Sequence, residues 1–196
     1  MKLDIILSGV GGQGILSIAA IIGEATLHEG LHIKQAEVHG MSQRGGDVQS
    51  NLRISSEPIY SDLIAKGTAN AIISLEPMEA LRYIPYLSSK GWIVTNSNPF
   101  VNIPNYPEIE TINDELASLP NVISIDINTM TKEAGSPRTA NMILLGAASV
   151  ILGINHTELE DAIGRIFKRK GEAIVEMNIK AFRIGRQAGE EQLKKV

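Results

Sequence analysis

Residues 3–20, LDIILSGVGGQGILSIAA, constrain the chain more tightly than any other stretch. Residues 3–7 form a short Ile- and Leu-rich run bounded by glycine, which fits a buried strand. From Gly14 the apolar residues fall at Ile15, Leu16, Ala19, Ala20, Ile22, Gly23, Thr26 and Leu27, a helical stripe that closes at Gly30. Residues 31–38 read as a second strand. Strand, glycine turn, helix and strand make a βαβ unit, so the chain is expected to build an α/β fold. Gly9, Gly11, Gly12, Gln13 and Gly14 form the turn. A helix N-terminus offers unpaired N–H groups and a positive dipole end, and glycines let an anion reach the backbone. These five are therefore candidate binding residues for a phosphate or carboxylate. The plain alternative is a tight turn with no ligand.

The next stretch, HGMSQRGGDVQSNLRIS, begins with a polar, glycine-rich loop. It lies just past the second strand, on the edge where open α/β sheets bind ligands. Met41, Ser42, Gln43, Arg44, Gly45 and Gly46 are the second candidate set. One arginine flanked by glycines suits a bidentate contact to an anion or a partner carboxylate. The alternative is a surface turn with a solvated arginine, and a lone His39 is read as structural.

Further strands are expected at 48–54, 70–77, 91–98 and 121–127, with a helix from 78 to about 87. Residues 96–107 hold three prolines and can only be loop. Asp126 is placed to cap the following helix. Residues 139–152 are apolar nearly all round and predict a deeply buried helix. Asn141 opens it, either bonding neighbouring backbone or facing a ligand or subunit edge. Thr157 and Glu160 read as a capping box for a helix burying Leu159, Ala162, Ile163, Ile166 and Phe167. Lys168, Arg169 and Lys170 suit that helix's negative end. A last helix carries Ile174, Met177, Ala181, Ile184 and Ala188 at spacings of three and four. The expected architecture is a three-layer, Rossmann-like α/β domain with a mostly parallel sheet. It is a single domain over 1–196, with a sheet core at 1–135 and a helical cap at 136–196.

Composition removes several functions. With 18 Lys and Arg against 22 Asp and Glu, the net charge of −4 argues against nucleic acid as partner. No run approaches the ~20 apolar residues that span a bilayer. The chain has no cysteine, so it offers no disulfide, thiolate zinc site, cysteine-held iron–sulfur cluster or cysteine nucleophile. The expected location is the cytoplasm, where the Asn155-His156-Thr157 sequon is inert. A dinucleotide enzyme needs an acid about 20 residues past the glycines. Glu37 stands near there, but it leads into a glycine-rich loop instead of a short turn into a helix. A stand-alone NAD(P) or flavin oxidoreductase and a non-enzymatic nucleotide-binding module remain the alternatives.

Three motifs in order, GVGGQGI, HGMSQRGGDVQSNLRI and SPRTANMILLGA (136–147), resemble the gamma-type domain of the 2-oxoacid:ferredoxin oxidoreductases. The MSQRGG wording and the length look most like the beta subunits of its indolepyruvate branch. The resemblance runs from the first strand to EMNIKAF (176–182) in the last helix. It implies an oxidoreductase that works only as a hetero-oligomer. A larger subunit would carry thiamine diphosphate, magnesium and iron–sulfur clusters, oxidise an aryl pyruvate such as indolepyruvate, and reduce ferredoxin. The gamma-type subunit would complete the active site, hold no cofactor tightly, and be the candidate to bind coenzyme A. In isolation it could self-associate as a homo-oligomer. No catalytic residue and no metal ligand is assigned to this chain.

Overall fold

A computed structural model describes residues 1–39 and 46–195 of the 196-residue chain. β1 (Lys2–Val10) runs into the glycine turn, followed by α1 (Ile15–His28) and β2 (His32–His39), as the periodicity predicts. β3 (Asp47–Ser55) then pairs antiparallel with β1 on one side and β2 on the other. The first and second strands therefore share a direction but are not neighbours. Only residues 40–46 separate β2 from β3, too few for the crossover that a parallel pairing requires.

β4 (Ala69–Ser74), α2 (Pro77–Arg82), β5 (Leu87–Asn96), α3 (Ile109–Ser118), β6 (Val122–Ile125) and α4 (Ile127–Ala134) follow. The helix expected to reach residue 87 stops at Arg82. A 3-10 turn at Ile84–Tyr86 replaces it, because Pro85 cannot continue an α-helix. The sheet order is β2-β3-β1-β4-β5-β6, and β1, β4, β5 and β6 are mutually parallel. Among the described strands β3 alone runs against the rest, so the sheet is mixed but mostly parallel.

Successive side chains of a strand point to opposite faces. Leu3, Ile5 and Leu7 enter one apolar cluster with α1, α4 and the C-terminal helices, while Ile6 enters another with Ile72, Ile93, Ala80 of α2 and Ile112 and Leu116 of α3. These are the three layers. The C-terminal helices are α5 (Ala140–Ser149), α6 (His156–Phe167) and α7 (Glu172–Leu193). Every residue of α5 from Asn141 to Ser149 is buried, so its apolar surface is covered by its own sheet and by α7.

Two local expectations shift. The cap of α6 is Asn155, whose Oδ1 accepts from the Thr157 amide at 3.1 Å and the Thr157 hydroxyl at 2.8 Å. The helix thus begins two residues earlier than a Thr157 cap requires, and Glu160 instead pairs with Arg183 at 2.6 Å. On α7 the buried line is Asn178, Ala181, Phe182, Gly185 and Gly189, while Ile174, Ile184 and Ala188 are half-buried beside it. The small residues let α5 and α7 touch backbone to backbone. A Cβ added at Gly146 would overlap the Phe182 carbonyl oxygen, and one at Gly185 the Ile143 carbonyl oxygen.

Candidate functional site

The parallel strands deliver their C-terminal ends to one edge. α1 leaves β1 toward one face of the sheet, and α2 leaves β4 toward the other. Between β1 and β4 the connections therefore part, and such a switch point is where open α/β sheets place ligands. The glycine turn forms one side of this crevice, and residues 75–77, entering α2, form the other.

Inside the turn, Gln13 N donates to Val10 O at 3.1 Å and Ser17 N to Gly14 O at 3.1 Å. Gly12 and Gly14 sit at φ +100° and +88°, a left-handed backbone that costs other residues about 1–2 kcal/mol. A Cβ on Gly12 would meet nothing within 4 Å among the described residues. Gly14 caps α1 without a side-chain bond, which leaves the first amides of a 14-residue helix directed at the crevice. No acidic residue stands in that first turn. The arrangement favours an anion.

Gln13 does not extend into that space. Its Oε1 accepts from Val10 N at 2.7 Å, and its Nε2 reaches Leu75 O at 3.5 Å. One amide thus braces the end of β1 against the end of β4. Gly9 makes room for it, since a Cβ there would stand 2.8 Å from Gln13 Oε1. Asn141 is 9% exposed and likewise braces the turn. Its Nδ2 donates to Gly14 O at 3.2 Å, and its Oδ1 accepts from Met142 N at 3.0 Å. The first and third sequence motifs therefore meet.

Gly11 N donates to Gly46 O at 2.8 Å, which brings the end of the second motif to the same turn. Met41, Ser42, Gln43, Arg44 and Gly45 lie outside the described residues. Their flanking positions, the end of β2 and Gly46, are on the crevice edge.

The opposite wall was not legible as a site. Glu76 is fully buried and caps α2, its Oε2 accepting from Glu79 N at 2.8 Å. Its Oε1 accepts from the Tyr106 hydroxyl and from Phe100 N. Glu79 pairs with Arg82 at 2.7 Å. Burial raises the Glu79 carboxyl above its usual range, against the lowering pull of Arg82. Burial also pushes Tyr83 up to about 12 and lifts Tyr106 well above an ordinary phenol, the bond to Glu76 adding to the second shift. The signal in the sequence was the Glu76-Pro77 pair, since proline is favoured at the first helical position and its predecessor is then the cap.

Glu37 lies opposite Ser50 in β3, with a whole strand between it and β1. An acid that holds a dinucleotide ribose belongs on the strand next to the glycine turn, so Glu37 is misplaced for that task. Among the described residues no group of three or more His, Cys, Asp or Glu could hold a metal ion, and no helix is long and apolar enough to cross a membrane. With no thiolate in the chain and no such group of ligands, the described residues fit neither an iron–sulfur cluster nor a magnesium-held diphosphate. They fit an anionic group that approaches the turn.

Comparison with known proteins identifies the family and the fold. The pattern of the family described as pyruvate ferredoxin/flavodoxin oxidoreductase matches residues 4–188. The indolepyruvate oxidoreductase subunit IorB of Archaeoglobus fulgidus is 36% identical, over 94% of each chain. A keto/oxoacid ferredoxin oxidoreductase gamma subunit from Geobacter sulfurreducens superposes with TM-score 0.70 at 26% identity, over 96% of this chain and 99% of that one. A 2-oxoglutarate:ferredoxin oxidoreductase from Magnetococcus marinus, solved with 2-oxoglutarate, coenzyme A and succinyl-CoA bound, has the same fold, with TM-score 0.74 at 23% identity. The chain covers 97% of its own length there but only 31% of that polypeptide. This chain belongs to the pyruvate ferredoxin/flavodoxin oxidoreductase family, among the small subunits of 2-oxoacid:ferredoxin oxidoreductases.

Proposed function

We propose that residues 1–196 act as one gamma-type unit of an indolepyruvate-type 2-oxoacid:ferredoxin oxidoreductase, in the cytoplasm, and complete an active site whose reactive groups sit on a larger subunit. In that complex thiamine diphosphate with magnesium would supply the decarboxylating chemistry, and iron–sulfur clusters would pass electrons to ferredoxin. This chain's part is binding and positioning. The turn, shaped by Gly9, Gly11, Gly12 and Gly14, takes phosphate oxygens of coenzyme A on the amides of Gly12, Gly14 and the first residues of α1. Gln13 and Asn141 hold the turn in shape. Arg44, which lies outside the described residues, is the cation assigned to the same ligand.

The observation that carries this reading is the meeting of all three motifs at one turn, through the Gly11–Gly46 and Gly14–Asn141 bonds. The relative solved with coenzyme A supports the choice of ligand, since its fold is the same. The test is amide hydrogen exchange on the reconstituted two-subunit complex, with and without coenzyme A. Protection of the Gly12, Gly14, Ile15 and Leu16 amides on adding coenzyme A is the expected result. Unchanged exchange there, with coenzyme A demonstrably bound, would place the ligand elsewhere.

A further inference from the structure

Glu76 is a buried acid that the proposed function does not use. Its carboxyl oxygens gather three donors from two directions: Glu79 N inside α2, and Phe100 N with the Tyr106 hydroxyl from segment 97–107. Capping a six-residue helix needs no such reach. Aspartate or serine does that at closer range. The longer side chain spans from the end of β4 to the segment that follows β5. Burial and the bond to Glu76 hold the Tyr106 proton on, so the hydroxyl donates throughout the neutral range.

The segment itself is unusual. Pro99, Pro104 and Pro107 fix three of its φ angles. Yet it presents Phe100, Val101 and Ile103 at 48%, 67% and 36% exposure. Asn96 and Asn98 tie its start to the first residues of α4, accepting from Ile127 N and Asn128 N at 3.2 Å each. A stiffened, tethered loop with exposed apolar side chains is held at Phe100 and Tyr106 by one buried carboxyl. That carboxyl is one residue beyond Leu75, whose carbonyl oxygen meets the Gln13 amide that braces the glycine turn.

We propose that Glu76 is a positioning residue. It fixes segment 97–107 as an apolar wall of the crevice, against which the uncharged arm of an extended phosphate-bearing ligand lies while the glycine turn takes the phosphate. This rests on the reading that coenzyme A enters the crevice. Glu76 itself touches no ligand and acts through Phe100 and Val101.

The test uses Glu76→Gln, Tyr106→Phe and the double variant. In the full-length chain alone, Glu76→Gln should speed exchange of the Phe100, Val101 and Ile103 amides by about tenfold or more, with the β1 and β4 amides unaffected. Tyr106→Phe should act in the same place and more weakly. The double variant should be no worse than Glu76→Gln, because both substitutions break one contact. In the reconstituted complex, KM for coenzyme A should rise severalfold while kcat holds within about twofold. Acceleration spread evenly over the chain would overturn the proposal by making Glu76 merely structural. So would a loosened segment with unchanged KM, or a raised KM with an unmoved segment. If Glu76→Gln does not fold, Tyr106→Phe decides on the same readouts. A wild-type complex indifferent to coenzyme A would instead defeat the proposed function, and exchange alone would then decide whether Glu76 positions the segment.

Discussion

Asn141 and Gly14 are 127 residues apart in sequence and joined by a 3.2 Å hydrogen bond, from the asparagine Nδ2 to the glycine carbonyl oxygen. The same Nδ2 stands 2.9 Å from where a Cβ on Gly14 would be. Residue 14 thus has two reasons to be glycine, its positive φ and its neighbour. Gly14→Ala should cost about 2 kcal/mol in urea unfolding, roughly half of it from the left-handed backbone. Asn141→Ala should cost about 1 kcal/mol. The double variant should cost less than the sum, because removing the amide relieves the clash. Strict additivity would mean that the two residues do not share this contact.

The α5–α7 contact sets up a contrast among glycines. Gly185→Ala should force the helices apart and cost about 2–3 kcal/mol. Gly164→Ala, inside α6 with no described residue where the methyl would go, should instead stabilise by about 0.5–1 kcal/mol. Thermal unfolding of the two variants gives both signs. Equal shifts in the same direction would contradict the packing described.

Asp126 caps α4, its two oxygens accepting from the Thr129 amide at 3.0 Å and hydroxyl at 2.7 Å. These bonds hold its carboxyl below the ordinary value of 3.8. A lowered folded value means the unfolded chain takes up the proton first. The cap therefore adds stability above pH 3.8 and loses it as the pH falls through the folded value. Asp126→Ala should cost about 1 kcal/mol at pH 7, and the difference from wild type should shrink below pH 4. A gap that stays constant down to pH 3 would show that ionisation of Asp126 is not what the cap uses.

Arg44 is expected to matter only in the complex. Arg44→Ala should leave the melting temperature of the isolated chain unchanged and lower coenzyme A-dependent turnover of the reconstituted enzyme about tenfold, the weight of one charge-assisted bond. Undiminished turnover would remove the arginine from the site.

The first forty residues were legible because one strand, one glycine turn and one amphipathic helix each show a distinct period. The insertion of β3 between β1 and β2 was not read from the sequence, because strand periodicity carries no direction and only the brevity of residues 40–46 points to an antiparallel pairing. The buried line of α7 was hidden for a different reason. Hydropathy selects Ile174, Ile184 and Ala188, whereas the close approach to α5 selects Gly185 and Gly189, which have no side chain to score. Glu76 was hidden because an acid at the end of an apolar strand reads as a turn. Only the return of Phe100 and Tyr106, some thirty residues later, reveals its partners. Gln13 and Asn141 were singled out as candidate binding residues, whereas in the structure both side-chain amides are spent on bracing the turn.

The central claim is that this chain supplies one part of a pocket whose reactive chemistry lies on another polypeptide. It is tested most directly by assaying indolepyruvate-dependent reduction of ferredoxin with the purified chain, with the larger subunit, and with both. The account predicts coenzyme A-dependent turnover from the mixture and none from this chain alone. Oxidation of a 2-oxoacid by this chain with no companion protein present would contradict it.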